Sequence, residues 1–224
     1  MTSQAAYRYP AGRIIVFARA PVAGAVKTRL AAHIGAQAAA QLYTQLLQDT
    51  LGTAVDAGLT PVELHVTPDT RHPVIRSLLE RLPITAHAQH GGDLGQRMYG
   101  ALQDALAQSE FALLIGSDCA VMTADYLHQA CRELQTNKDL VVGPAEDGGY
   151  VLIGARHCCQ ELFQDIPWGS DEVLPATRGR AQSLRLRYAE LGTLWDIDTP
   201  ADLERWHTER RSRPAQAPAA DTKV

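Results

Sequence analysis

The chain has 224 residues, of which 46% are hydrophobic and 21% are charged, a composition that is ordinary for a soluble globular protein and excludes wholesale disorder. Its formal net charge of -4 and pI near 6.0 exclude the broad basic surface with which proteins bind nucleic acid or anionic membranes. At this length an alternating α/β chain usually forms one domain. We expect that domain at residues 13–210, between a flexible N-terminus (1–12) and a disordered tail (211–224).

The cysteines and the apolar runs favour a cytoplasmic protein. Cys158 and Cys159 are adjacent while Cys119 and Cys131 stand apart, so no pair has the spacing of a C-x-x-C motif or a zinc site. The first twelve residues contain no apolar stretch of the kind that a signal peptide needs, and no apolar run approaches the ~18 residues of a membrane-spanning helix. We therefore expect reduced thiols and no membrane partner; the sequence does not indicate an oligomeric state.

The first predicted strand leads into a basic loop. Residues 13–18, R-I-I-V-F-A, are β-branched and aromatic, and Pro21 and Gly24 end the run. Backbone N–H groups together with Arg and Lys side chains bind phosphates, so the loop predicts a site for a nucleotide diphosphate, with a solvated basic loop as the alternative. Neither the Walker A spacing nor G-x-G-x-x-G is present. The cations of this loop are Arg19, Lys27 and Arg29.

Strands and helices then alternate as far as the middle of the chain, which predicts a mostly parallel sheet. Among the eight histidines only His87 and His90 are closely spaced. Without a helix or a third ligand this pair does not predict a metal site. The elements predicted in this region are a helix over 35–56, a strand over 61–67, a helix over 73–82, a strand over 84–89 and an amphipathic helix over 94–106.

The stretch Phe111 to Asp118, F-A-L-L-I-G-S-D, predicts the central strand. A short apolar run that ends at a turn signal is typical of a strand buried on both faces of a parallel sheet. Because open α/β sheets bind ligands beyond the carboxyl ends of their strands, Asp118 is a candidate to hold Mg²⁺ or Mn²⁺ against a diphosphate. Alternatively, Asp118 caps the helix predicted over 123–134.

A polar segment between two later strands, P-A-E-D-G-G, offers candidate acceptor residues. A turn accounts for the segment, but two adjacent carboxylates are more than a turn needs. Glu146 or Asp147 could hold sugar hydroxyls or take a proton from an acceptor. Gly148 and Gly149 permit either a tight turn or the close approach of a ligand. Trp168 could stack on a sugar or acceptor, although a packing role is equally compatible with the sequence.

The segment W-D-I-D-T-P-A-D-L, residues 195–203, carries further carboxylates. Asp198-Thr199-Pro200 is a good helix start, so capping alone could explain it. However, Asp196 and Asp198 would point the same way in an extended segment, which is costly unless a cation lies near them. The other elements predicted in this half are strands over 139–143, 150–154 and 184–187 and a helix over 170–182.

Four stretches in this order, A-P-V-A-G-A-V-K-T-R-L, L-L-I-G-S-D, G-P-A-E-D-G-G-Y-V-L-I-G and W-D-I-D-T-P-A-D-L, resemble a bacterial family long catalogued as a domain of unknown function. Members of that family are described as GT-A-type glycosyltransferases. More distantly, the chain is similar to the guanylyltransferases of the molybdenum-cofactor and phospholactate pathways. The resemblance covers nearly all of residues 13–206. It implies one GT-A-like (nucleotide-diphospho-sugar transferase) domain, a three-layer αβα sandwich on a mostly parallel sheet.

The resemblance also implies a site and a reaction. In that superfamily two aspartates hold the divalent metal, here Mg²⁺ or Mn²⁺ on Asp118 and Asp198, while Arg19, Lys27 and Arg29 grip the nucleotide. The expected substrates are a nucleotide-sugar, or an NTP, and a small acceptor, with catalysis through Asp118 and with Asp147 as acceptor contact or base. The loop lacks the paired glycines of nucleotidyltransferases, which favours glycosyl transfer. The alternatives are a guanylyltransferase-like enzyme joining an NTP to a phosphorylated small molecule, and a non-catalytic nucleotide-sugar-binding domain.

Repulsion among the carboxylates gives one expectation for stability. If Asp118, Asp196 and Asp198 lie close together without a metal, removing one charge should relieve repulsion. Asn also caps helices about as well as Asp. The sequence therefore predicts that Asp118→Asn leaves the stability of the metal-free protein unchanged or slightly higher.

Overall fold

A computed structural model describes residues 7–212, which form one seven-stranded sheet flanked by helices. The strands are β1 (Gly12–Arg19), β2 (Val62–Thr67), β3 (Ile84–Ala88), β4 (Phe111–Gly116), β5 (Leu140–Pro144), β6 (Tyr150–Ala155) and β7 (Tyr188–Glu190). The helices are α1 (Thr28–Ile34), α2 (Ala36–Asp56), α3 (Pro73–Arg81), α4 (Leu94–Leu106), α5 (Ala124–Thr136), α6 (Val173–Ser183) and α7 (Pro200–Ser212), with a 3₁₀ turn at Gln160–Phe163.

The sheet is mostly parallel, in the order β3-β2-β1-β4-β6-β5-β7. Only β6 runs antiparallel, to β4 on one side and to β5 on the other. The chain progresses outward from β1 through β2 to β3 and then returns to place β4 on the other side of β1. Such a reversal of strand order opens a crevice at the carboxyl ends of the two central strands. The loops that follow β1 and β4 therefore meet at one edge of the sheet.

Helices cover both faces of the sheet, which confirms the three-layer αβα sandwich. Alternate residues of β1 point to opposite faces, so Ile14 and Val16 pack into one core and Ile15 and Phe17 into the other. The first core contains apolar side chains of α2, α3 and α5. The second contains those of α4, the 3₁₀ turn and α6. The central strands are thus buried on both faces, as their unbroken apolar sequences predict.

One predicted strand is wrong in position, and one short helix was not predicted. The strand predicted over 184–187 begins only at Tyr188, because Leu184 still ends α6 and Arg185 turns the chain with φ 54°. The basic loop contains a separate short helix, α1, which the prediction missed. At the ends, Arg8 and Tyr9 donate backbone hydrogen bonds to Gly58 and Leu59. Gly12, at the end of the predicted flexible N-terminus, begins β1, and α7 extends to Ser212 in the predicted tail. Residues 1–6 and 213–224 lie outside the described residues.

All four cysteines in residues 7–212 are free. None of the helices in this range combines the length and apolar character needed to cross a membrane.

An ion pair fixes the start of the last strand and gives a pH-dependent prediction. Both carboxylate oxygens of Asp139 accept bonds from the Arg187 guanidinium, at 2.6 and 2.9 Å, and one also accepts from its backbone N–H. The hydrogen bonds from the Arg187 side chain are the main cause that lowers the pKa of Asp139 from 3.8 to about 2. A lowered carboxyl pKa stabilises the fold above the unfolded-state pKa, and this contribution is lost as pH falls through the folded-state value.

We therefore expect Asp139→Asn to lower the free energy of unfolding at pH 7 by on the order of 1 kcal/mol, the range of a partly exposed, charge-assisted pair. The difference from the parent should shrink between about pH 4 and pH 2. Urea titrations across that range measure it. Asp165→Asn is the matched control, because Asp165 pairs with Arg180 but is 87% exposed. An equal loss in both variants would contradict the special role of Asp139.

Candidate active site

Three segments converge beyond the carboxyl ends of β1 and β4. The segment after β7 is joined to the others through its backbone: Ile197 donates to the carbonyl of Asp118, and Leu194 donates to the carbonyl of Pro144. Its apolar side chains insert between α7 and the first two helices. The resulting small core consists of Leu30, Leu46, Trp195, Ile197 and Trp206. This packing brings Asp196 and Asp198, far away in sequence, to the end of the central strand.

Lys27 lies between the two aspartates that the sequence predicts as metal ligands. Its ammonium Nζ is 2.8 Å from Oδ2 of Asp118 and 2.9 Å from Oδ1 of Asp198, and only 3% of its side chain is exposed. Burial alone would lower the pKa of Lys27, but the charges of Asp118 and Asp198 together outweigh it and raise that pKa. Lys27 is therefore a permanent cation at the centre of the site. Arg29 adds a weaker contact, 3.6 Å from Asp198.

Neither aspartate is a helix cap. The side chain of Thr123 caps α5 by accepting from the backbone N–H of Tyr126. At the start of α7, the Asp202 carboxylate accepts from the backbone N–H of Thr199, and the Thr199 hydroxyl accepts in return from Asp202. This is the reciprocal arrangement of a capping box. The capping alternative for Asp118 and Asp198 is therefore wrong, and both carboxylates instead pair with Lys27.

Asp196 is an unpaired carboxylate in the same cluster. Within residues 7–212 its Oδ1 is buried and has no hydrogen-bond partner. Burial raises the pKa of Asp196 well above its ordinary value, and the negative charge of Asp118 adds to the effect. A buried carboxylate oxygen without a partner is costly and points to a missing cation or proton.

The cluster has the chemistry of a site for a hard divalent cation. The carboxylates of Asp118 and Asp198 contact the buried Lys27 ammonium, and the charge of Asp196 acts on both Lys27 and Asp118, so negative charge remains in excess. Mg²⁺ and Mn²⁺ prefer carboxylate oxygens and commonly bridge them to substrate phosphates. Within residues 7–212 the ligand atoms of Asp118, Asp196 and Asp198 do not all lie within 4.8 Å of one another, so Asp118 and Asp198 are the candidate ligands, and the charge of Asp196 adds to the attraction for a cation. The residues present therefore fit such an ion.

A basic cavity of about 680 Å³ opens on one side of this cluster. Its volume is within the range of small-molecule sites. Arg97, at the first turn of α4, lines it and was missed by sequence analysis because it lies far from the basic loop in sequence. The charged residues of its lining are Arg19, Lys27, Arg29, Arg97, Asp118 and Asp198. The three cations predicted to hold phosphates thus line one cavity.

Tyr43 positions the two loops that form this cavity. Its hydroxyl accepts a bond from the backbone N–H of Arg19 and lies 2.8 Å from the hydroxyl of Ser117. The side chain is buried, and burial raises the pKa of Tyr43. The helical spacing of Tyr43 indicates only a core position, so sequence analysis could not distinguish this bridging residue from its apolar neighbours.

A second cavity, of about 470 Å³, lies on the other side and shares five lining residues with the first, Phe17, Arg29, Leu94, Gly116 and Asp198. Its lining is aromatic and acidic. Arg29 is its single basic residue, against four aspartates. The residues that give it this character are Phe17, Tyr150, Trp168, Asp147, Asp171, Asp196 and Asp198.

Three of the five predicted acceptor residues line the second cavity, and the other two, Glu146 and Gly148, have structural roles. Asp147, Gly149 and Trp168 line the second cavity, and the Asp147 carboxylate also accepts from the backbone N–H of Gly149. Glu146 instead forms a two-bond ion pair with Arg205 of α7, at 2.8 and 3.2 Å, and lines neither cavity. Gly148 has φ +87°, and a Cβ there would lie 2.4 Å from the backbone oxygen of Asp171. Its conformation and packing account for the glycine.

The sequence profile of a family described as "Uncharacterized protein conserved in bacteria (DUF2064)" matches residues 50–170. No curated protein matches the chain in sequence. A solved structure from Desulfovibrio desulfuricans G20, named "putative nucleotide-diphospho-sugar transferase", is 31% identical, with a TM-score of 0.82 over 91% of this chain and 89% of that chain.

Two further solved structures share the fold at low identity. The 4-diphosphocytidyl-2C-methyl-D-erythritol synthase of Anaerococcus prevotii is 11% identical, with a TM-score of 0.59 over 90% of this chain and 99% of that chain. The inositol-1-phosphate CTP transferase of T. maritima is 13% identical, with a TM-score of 0.57 over 95% of this chain and 99% of that chain. The predicted nucleotide-diphospho-sugar transferase fold is thus confirmed.

Proposed function

The chain belongs to the bacterial DUF2064 family, and from that membership and the geometry of the site we propose that it is a metal-dependent glycosyltransferase. The donor is a nucleoside-diphosphate sugar and the acceptor is a small molecule that carries a hydroxyl group. The diphosphate occupies the basic cavity. The sugar and the acceptor occupy the aromatic and acidic cavity on the other side of Asp198.

The observation that carries this proposal is the difference in charge between the two cavities. The first presents four cations against two aspartates, Asp118 and Asp198, and this excess of positive charge suits a diphosphate. The second presents four aspartates and only Arg29 as a cation. A phosphorylated second substrate would be repelled there, whereas carboxylates accept hydrogen bonds from neutral hydroxyl groups and aromatic rings pack on sugar faces.

Each group then has a role in the transfer. Asp118 and Asp198, with Asp196 beside them, would hold Mg²⁺ or Mn²⁺, which neutralises negative charge on a departing nucleoside diphosphate. Arg19, Lys27 and the neighbouring cations orient the diphosphate and stabilise the same charge. Asp147 accepts a hydrogen bond, or the proton, from the attacking hydroxyl group.

Nucleotidyl transfer is the second candidate. The structures at 11% and 13% identity are named for cytidylyl and CTP transfer, and a cavity with four cations could also hold a triphosphate. The acidic second cavity is the feature against it. A non-catalytic nucleotide-sugar-binding domain is the third candidate, and it would bind donors without turning them over.

The test offers the purified chain a panel of nucleoside-diphosphate sugars and nucleoside triphosphates with Mn²⁺, each combined with matched polyols in neutral and phosphorylated form. We expect release of a nucleoside diphosphate with neutral polyols and little turnover with their phosphate esters. Release of pyrophosphate from a triphosphate, faster with the phosphorylated polyol, would overturn glycosyl transfer. A thermal shift with donors but no turnover with any acceptor would favour the binding domain.

A further inference from the structure

Two neighbouring strands bring two histidines and a glutamate together away from the carboxylate cluster. The parallel pairing of β2 with β3 sets His65 directly beside His87. Glu63 precedes His65 by two residues and therefore projects from the same face of the sheet. Sequence spacing directs attention to His87 and His90, whereas the fold supplies two different partners for His87. This group, Glu63, His65 and His87, is the histidine cluster.

The distances within the histidine cluster suit a small metal ion. Oε2 of Glu63 is 3.3 Å from Nε2 of His65 and 4.0 Å from Nε2 of His87. Around a tetrahedral Zn²⁺ with bonds of about 2.0 to 2.1 Å, ligand atoms are separated by roughly 3.3 to 3.4 Å. The first pair already has that separation. The His87 side chain is 52% exposed, so it can close the remaining gap by rotating.

Two of the three side chains are held in place by their surroundings. His65 is only 7% exposed, and its ring stacks on Phe17 with centroids 5.8 Å apart. The second oxygen of Glu63 lies 3.1 Å from the Arg13 guanidinium. The hydrogen bond from His65 is the main cause that lowers the pKa of Glu63, and Arg13 acts in the same direction. The contacts with Arg13 and Phe17 orient the two ligands before an ion arrives, whereas the hydrogen bond between Nε2 of His65 and Oε2 of Glu63 joins the two ligand atoms themselves and is replaced, with release of its proton, when the ion binds.

We propose that Glu63, His65 and His87 form a second metal site, which binds Zn²⁺ or a similar transition-metal ion. Two imidazoles and one carboxylate with a solvent-accessible fourth position are a ligand set that Zn²⁺ uses, whereas Mg²⁺ prefers oxygen ligands alone. The histidine cluster shares no residue with the Asp118–Asp198 cluster. The inference does not depend on the proposed glycosyl transfer.

A metal at this position would join the outermost strand to the sheet. Every residue of β3 is at least partly exposed, and among residues 7–212 β3 pairs on one side only, with β2. Just beyond it, the Gln89 side chain donates to the carbonyls of Ala18 and His65 and lines the basic cavity. An ion bridging His65 and His87 therefore stabilises the edge strand that carries one wall of that cavity.

The test is calorimetric titration of the untagged, chelator-treated full chain with ZnCl₂ in excess MgCl₂, which occupies the oxygen-ligand site. We expect one Zn²⁺ per chain at the histidine cluster, bound at least about tenfold more weakly by His87→Ala and by Glu63→Gln. His90→Ala is the matched control, because His90 lines the same small cavity but is not part of the cluster. Cys158→Ser is a second control, since the adjacent thiols could bind Zn²⁺ themselves.

Thermal shift separates loss of the site from loss of the fold. Zn²⁺ should raise the Tm of the parent, His90→Ala and Cys158→Ser, and should not raise that of His87→Ala. Because the His87 side chain is exposed, His87→Ala should keep the fold, and the Tm of this variant without Zn²⁺ checks this directly. Unchanged Zn²⁺ affinity in both His87→Ala and Glu63→Gln would overturn the proposal. So would a parent that binds no Zn²⁺, or one whose binding is abolished by Cys158→Ser.

Discussion

Replacing Lys27 with Met should cost more stability than any other single change in the carboxylate cluster. The substitution keeps the length of the side chain but removes the one buried cation that contacts Asp118 and Asp198. Breaking a buried ion pair costs about 3–5 kcal/mol. We expect a value near the lower end, about 3 kcal/mol, because both aspartates are partly solvated. For a domain of this size that loss lowers Tm by roughly 6 to 12 °C.

The divalent cation gives this prediction a second readout. If Mn²⁺ binds to the same carboxylates, it should stabilise Lys27→Met more than it stabilises the parent, because the variant has a larger excess of negative charge. Arg29→Met is the matched control. Arg29 is 73% exposed and lies 3.6 Å from Asp198, so its loss should change stability by less than about 1 kcal/mol. Equal effects of Lys27→Met and Arg29→Met would contradict the central position of Lys27.

Lys27→Met should also lower activity more than Arg29→Met does. Lys27 and Arg29 both line the basic cavity. We therefore expect both substitutions to weaken the binding of a nucleoside-diphosphate sugar. Lys27→Met should also lower turnover, because its ammonium is fixed beside the carboxylates where charge develops on the leaving group. Arg29→Met should act mainly on KM. Because its side chain is exposed, Arg29 should contact the donor about equally in the ground state and in the transition state, and loss of such binding raises KM without lowering turnover.

The position of Lys27 shows where prediction from sequence ends. The central strand and Asp118 could be placed from local pattern alone, because a short apolar run followed by Gly and Asp determines a buried strand and its end. The contact between Lys27 and Asp198 spans 171 residues. It also depends on a backbone conformation, φ 48° and ψ 47° at Lys27, that few non-glycine residues adopt and that no local pattern indicates.

The same limit applies to the residues that sequence analysis missed or could not assign. Tyr43 has the spacing of a core residue and Arg97 that of an ordinary helix surface, and only the packing of α2 and α4 brings them to one cavity. His65 and His87 become neighbours through the register of two parallel strands. Parallel register depends on long-range packing instead of a hairpin turn, so a linear pattern does not reveal it.

Asp118→Asn should abolish most activity and also lower the stability of the metal-free protein. The activity loss follows from the proposed metal site, since a divalent cation supplies several kcal/mol of transition-state stabilisation, or about a thousandfold in rate. The stability loss differs from the expectation based on sequence, in which relief of repulsion dominates. Asp118 accepts the 2.8 Å bond from buried Lys27, and an amide keeps that bond but loses the charge. We expect a cost of about 1–2 kcal/mol, reduced by the 32% exposure of Asp118.

Asp196→Asn is the matched comparison. It makes the same chemical change at a neighbouring carboxylate, but we expect it to raise the stability of the metal-free protein and not to lower it. One oxygen of the Asp196 carboxylate is buried and has no hydrogen-bond partner among the described residues. Burial is the main cause that raises the pKa of Asp196, and the negative charge of Asp118 is the second. A raised carboxyl pKa means that the charge destabilises the fold increasingly as pH rises above the unfolded-state value of about 3.9. Without divalent cations, the Tm of Asp196→Asn should therefore be higher than that of the parent at neutral pH. Near pH 4 the two Tm values should be equal.

When metal and donor are added, the two variants should change in the same direction, because each should gain less thermal stabilisation than the parent. Mn²⁺ with a nucleoside-diphosphate sugar should stabilise the parent, whereas both variants should lose part of that shift, Asp118→Asn the larger part. Melting curves in chelator and in Mn²⁺ with donor measure both effects on the same samples. An Asp118→Asn variant that keeps its activity and the full metal-dependent shift would remove Asp118 from the metal site. If Asp196→Asn instead melted below the parent in chelator, Asp196 would be paired by a proton or ion, and the excess of negative charge on which the metal site rests would disappear.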